Sequence, residues 1–153
     1  MISKKELKGR IIRIIATTRF PFIDQIDWVE DYVTLTNDNG KKTRGFSSPL
    51  GYVYPGIVIT KANTEIQEIG EVEMEDTVTE EQVPKWRLMS EKAGMGRQVK
   101  KFFLYVPEGK EETALRLLEE NEIDYAGLRT WSIRKGSLVI SPIVTLDEPK
   151  DHR

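Results

Sequence analysis

The run Phe102-Phe103-Leu104-Tyr105-Val106 contains no charged side chain. Successive side chains on a strand point to opposite faces, so this run has no face to offer to water. It suits a strand covered on both sides, as in an α/β sandwich with helices above and below the sheet. At 153 residues the chain is long enough for that, since a domain of this size buries about 70% of the surface its unfolded chain exposes.

The segments around the run supply the layers. Ser3-Lys4-Lys5-Glu6 fits a capping box, and Leu7, Ile11, Ile14 and Ile15 follow at helical spacing. This predicts a helix over 4–17, with a strand as the competing reading because 11–15 is rich in β-branched residues. Residues 28–36 read as a strand ending at the turn Asn37-Asp38-Asn39-Gly40. A second strand spans 52–60, interrupted by Pro55-Gly56, and a third, antiparallel to it, spans 65–74 after a turn at 62–64. Thr79-Glu80-Glu81-Gln82 is another capping box and opens a helix to about 93, with Pro84 tolerated in its first turn. A helix over 110–121 points Ala114, Leu115 and Leu118 inward, and strands over 127–133 and 138–144 turn at Lys135-Gly136. The order α-β-β-β-α-β-α-β-β has no repeat or linker. It predicts one α/β domain over 1–146, a mixed sheet flanked by helices with 101–106 at its centre, and a flexible tail over 147–153.

Composition narrows the chemistry. The chain has no Cys and one His, His152, which removes disulfides, thiolate metal sites and Ser-His-Asp catalysis. Any metal would be held by oxygen. No apolar run approaches the ~20 residues that span a bilayer, and the first residues lack a signal peptide's apolar core. The sequence therefore reads as a soluble, cytoplasmic protein with no membrane partner. The net charge of −2 is uneven: residues 1–50 carry nine Lys/Arg and six Asp/Glu, residues 51–153 fourteen and nineteen. That is not the strong basic excess of a constitutive nucleic-acid binder.

The acidic stretch 65–81 is the most informative: eight acidic side chains, no Lys or Arg. Glu71 and Glu73 flank Val72 within the third strand, so both carboxylates point one way and Val72 and Met74 the other. Two adjacent carboxylates repel unless a cation lies between them, and oxygen ligands favour Mg²⁺, Mn²⁺ or Ca²⁺. The residues taken alone favour a plainer reading, an exposed acidic strand face followed by an acidic helix start.

The order helix, three-stranded meander, helix, strand, with Pro55 on the second strand and Glu71-Val72-Glu73 on the third, resembles the restriction-endonuclease-like (PD-(D/E)xK) nuclease superfamily. The likeness covers roughly residues 4–106, and the later α-β-β fits a common extension. It implies metal-dependent phosphodiester hydrolysis of nucleic acid. Glu71 and Glu73 would be metal ligands for Mg²⁺ or Mn²⁺ and part of the catalytic set, Glu73 standing at the family's lysine position. The family's Asp after the proline is replaced by Gly56, which cannot ligate. Asp24, Asp27 and Asp31 are candidate substitutes, and Lys85, or with no better support Lys61, is a candidate for a displaced catalytic cation. Each also reads as an ordinary surface charge. Arg129 and Trp131 share a strand face and suit a nucleobase or a core Trp with a snorkelling Arg. Lys5, Arg10 and Arg13 can touch phosphates or form a solvated helix face.

The leading expectation is a hydrolase-like nuclease domain with a weakened site, or a descendant that has lost cleavage. The alternative is a non-catalytic protein- or nucleic-acid-interaction module on the same fold. A third reading is a small ligand-binding α/β protein with a pocket remote from Glu71. A homo-oligomer is compatible with all three.

Overall fold

The structure, a computed structural model, describes residues 2–62 and 64–153. Helix α1 (Lys4–Arg19) starts at its expected cap: the Ser3 hydroxyl accepts from the Glu6 amide at 3.1 Å. It ends before Pro21, which has no amide to continue the ladder. Its buried stripe is Ile11, Ile12, Ile15 and Ala16, whereas Ile14 is partly exposed. The i,i+4 pairs 11/15 and 12/16 stack on one face, and Ile14 lies at its margin.

Eight strands follow among the described residues: β1 (Tyr32–Thr36), β2 (Phe46–Ser48), β3 (Gly51–Val53), β4 (Ile57–Lys61), β5 (Glu65–Val72), β6 (Phe102–Pro107), β7 (Gly127–Arg134) and β8 (Ser137–Thr145). The second strand expected from the sequence is in fact two. Pro55-Gly56 separates β3, which pairs only with β2 in a small hairpin, from β4 in the main sheet. The turn expected at 62–64 includes Asn63, which lies outside the described residues.

The main sheet has six strands in the order β1-β4-β5-β6-β7-β8. The β1/β4, β4/β5 and β7/β8 pairs are antiparallel, and β5/β6 and β6/β7 are parallel. Parallel neighbours need crossovers. Helix α2 (Val83–Lys92) makes the first and α3 (Glu111–Glu120) the second. Two crossovers of the usual hand advancing in one direction put both helices on the same face. Trp86, Met89, Ala114, Leu117 and Leu118 accordingly share one core with Val58, Ile69, Phe102, Leu104 and Val106. Helix α1 covers the other face, over Ile57, Ile59, Val72, Phe103 and Tyr105. In α3 it is Leu117 that is buried beside Ala114 and Leu118, with Leu115 at the edge. The expected capping box at Thr79 does not form: a 3-10 turn (Glu80–Gln82) leads into α2, and Thr79 makes no side-chain cap. Lys135 and Gly136, both at positive φ, close the β7–β8 hairpin, as a type I′ turn requires.

Residues 147–153, expected to be flexible, are packed. Arg153 is 1% exposed and lies under the α1 side of the sheet, its guanidinium 4.9 Å from the Phe103 ring centre. It forms a fork with Asp151 (2.9 and 2.8 Å), bonds Asp27 at 3.0 Å and also reaches the buried Glu68. Lys101 completes the network, 3.1 Å from Asp27 and 3.5 Å from Glu68. Arg129 fastens the segment from the other side by donating to the Arg153, Asp151 and Val144 carbonyls. Local patterning misses this because Glu68 finds its partner 85 positions away.

Removing one member of a buried ion cluster strands the others without compensation, which costs roughly 3–5 kcal/mol. Arg153→Ala is expected to lower the unfolding free energy by about that much in urea titrations. A change below about 0.5 kcal/mol, the range of plain surface substitutions, would mean that the segment frays.

Candidate functional site

Glu71 lies near the end of β5. Glu73 lies just past it, still in ladder geometry, with its amide donating to the Tyr105 carbonyl at 2.9 Å. Val72 and Met74 enter the α1-side core, and Glu71 and Glu73 leave it, as alternation requires. The acidic face is not exposed, however: Glu71 and Glu73 are 5% and 1% accessible.

Buried carboxylates need donors, and these have them. Glu71 Oε1 accepts from the Gly56 amide at 3.0 Å and the Val72 amide at 3.2 Å. Glu73 Oε2 accepts from the Trp86 indole at 2.7 Å, and its carbonyl accepts from the Trp131 indole at 3.0 Å. Neither indole was foreseen as a partner of Glu73. The one signal in the sequence is that a buried Trp N–H usually finds an acceptor. Burial pushes the Glu73 carboxyl up to about 7 and the Glu71 charge adds to this, while the Trp86 and Thr77 hydrogen bonds and the Lys8 charge pull the other way.

Mg²⁺ demands near-octahedral oxygen ligation. Glu71 and Glu73 supply two carboxylates, and among the described residues no three acidic, His or Cys side chains converge. One Glu71 oxygen already holds two amides, and one Glu73 oxygen holds an indole. A Cβ built on Gly56 would lie 3.2 Å from Glu71 Oε1 and 3.1 Å from Ile12 Cδ1. A side chain at position 56 would therefore start beside the Glu71 carboxylate. The residues present do not fit the Mg²⁺ or Mn²⁺ centre implied by the resemblance.

The other candidates lie elsewhere. Lys85 is exposed on α2 and forms no ion pair among the described residues; the cation whose charge acts on Glu73 is Lys8 of α1. Asp27 is committed to Lys101 and Arg153, next to Glu68 on the α1 side of the sheet. Asp24 and Asp31 are exposed, and Lys61 is exposed at the end of β4. Arg129 is 2% exposed and spends its donors on carbonyls, so no base can stack on it. Arg13 pairs with Asp38 at 2.6 Å and, with Lys5, Arg10 and Asn39, lines an open groove of about 490 Å³. A second cavity, of about 340 Å³, has Phe22, Ile26 and Met95 in its walls and Lys101 and Arg153 at its base, so it sits over the Arg153 network rather than over Glu71.

Comparison with protein-family models, with curated proteins and with solved structures gives no match.

The Glu73 environment predicts a pH dependence. Its folded value, about 7, lies above its ordinary 4.5, so between these pH values the native state keeps a proton that the unfolded chain has released. Stability from this group is full below pH 4.5 and falls as pH rises to about 7, by roughly 3 kcal/mol. Glu73→Gln keeps an acceptor for Trp86 and removes the titration. Urea unfolding at pH 5 and pH 8 should show the variant gaining on the parent at the higher pH. Parallel pH profiles for the two would refute the assignment.

Proposed function

We propose that this chain is a restriction-endonuclease-like domain that has lost phosphodiester cleavage and works as a binding module. The observation that carries this is the Gly56 amide bonded to Glu71 Oε1, at the position where the resemblance calls for a ligating carboxylate. The likeness itself is supported by the topology. An antiparallel β1-β4-β5 meander passes through α2 to a parallel β6, with α1 on one face and α2 on the other. Cleavage of this type needs a cation that generates hydroxide and stabilises charge on the phosphate, and each carboxylate present already has one oxygen held by the protein's own donors. A ligand-binding reading has the 340 Å³ cavity remote from Glu71 in its favour.

Plasmid and single-stranded DNA incubated with Mg²⁺ or Mn²⁺ test the reading. The parent should give slow or no cleavage, and Gly56→Asp, which places an oxygen beside Glu71, is the change expected to raise it. Mn²⁺ titrated into the parent and into Glu71→Ala should give equal, near-zero heats in calorimetry. Robust cleavage by the parent that Glu71→Ala abolishes would overturn the proposed loss.

A further inference from the structure

The surface formed by α1 and the β2–β3 hairpin has a different character from the rest of the chain. Residues 1–20 and 37–55 together hold nine Lys/Arg and two Asp/Glu, in a protein whose net charge is −2. The two segments touch: Arg13 bonds Asp38, and Lys5, Arg10 and Arg13 line one groove with Asn39 and a single acid, Glu6. Asp38 is 2% exposed and already engaged by Arg13 and Thr36, so it offsets little of the field above it. Lys41 and Lys42 extend the basic surface from the groove to the hairpin.

The hairpin presents aromatic rings to solvent. Phe46 and Val53 anchor its inner side in the core beneath α2 and α3. Tyr52 and Tyr54 fall on the other side by alternation. Tyr52 is 63% exposed; its ring centre lies 5.4 Å from that of Tyr54 at an interplanar angle of 34°. Lys42 Nζ lies 5.7 Å from the Tyr54 ring centre. Asn37 fixes the arm by donating to the Pro55 carbonyl at 2.7 Å and to the Arg44 carbonyl at 2.5 Å, and by accepting from the Arg44 amide at 2.9 Å. The rings therefore stand on a preformed base.

We propose that this basic, tyrosine-bearing face binds single-stranded nucleic acid, with the α1 groove and Lys41 and Lys42 following the phosphates and Tyr52 stacking a base. Phosphates supply affinity through counterion release. Unpaired bases supply a π-face for Tyr52 that a duplex keeps inside its own stack. The proposal goes beyond the loss of cleavage, because the strand is a ligand here whether or not residual hydrolysis survives. The two readings fail separately: DNA cutting overturns the first and leaves this face untouched.

Fluorescence anisotropy of the full chain with labelled dT20, U20 and a 20-base-pair duplex, over a range of salt, is the test. Both single strands should bind more tightly than the duplex, and the dT20 and U20 arms separate DNA from RNA preference. Tyr52→Ala should weaken dT20 binding roughly tenfold, and Tyr52→Phe, which keeps the ring, should restore it. The double variant Lys41→Glu, Lys42→Glu should weaken binding at least ~10-fold and flatten the salt dependence. Lys92→Glu, at the C-terminal end of α2 and outside both the groove and the hairpin, should change affinity less than about twofold. Thermal melts matching the parent verify that each variant folds. The proposal is overturned by no strand binding at low salt, by equal binding of strand and duplex, or by an unchanged Tyr52→Ala. Poly-glutamate competing as well as dT20 would also overturn it, in favour of an acidic protein partner.

Discussion

The complete burial of β6 governs the architecture. Residues 102–106 are all 0% exposed, so the strand needs a partner along each edge and a layer over each face. Phe102, Leu104 and Val106 enter the core under α2 and α3, and Phe103 and Tyr105 the core under α1. Each such side chain contributes about 1.5–3 kcal/mol by leaving water, so an arrangement exposing either face would forfeit several of these contributions at once. The parallel pairing of β6 with both β5 and β7 then requires two crossovers, and these deliver the two helices that close one face.

The same burial determines how the acidic strand behaves. Glu71 and Glu73 sit one strand away from β6, where water is excluded, and each must find donors within the protein. A pair of carboxylates two residues apart looks the same in sequence whether it grips a cation or is held by amides and indoles. The difference lies in a third group from elsewhere in the chain. At Gly56 that group is a backbone amide, where the resemblance calls for a carboxylate. The proposed function turns on this substitution of donor for acceptor.

Much of the fold was legible because its signals are local. The Ser3 cap, the unbroken apolar run of β6 and the Lys135-Gly136 turn each act within a few residues, and each marks an element of the structure. Legibility failed where the deciding partner was distant or where two local signals competed. Thr79 carries the letters of a capping box, yet Pro84, inside the first turn of α2, leaves no place for that box one turn earlier. The bond from Trp86 to Glu73 depends on how α2 crosses the sheet, which no local pattern carries. Residues 147–153 read as a flexible tail, since nothing near Arg153 in sequence announces Glu68.

The reach from Glu68 to Arg153 has a consequence for the order in which the molecule can be completed. A chain made from its N-terminus presents β5 and its buried glutamate long before residue 153 exists. Until then the acid has only Lys101 beside it, itself 33 residues later in the chain. Closing so long a loop is entropically costly and comes late in folding. Any sheet that forms before residue 153 is added holds on its α1 face a carboxylate without its arginine. Arg153 then shares a charge that Lys101 alone answers until it arrives.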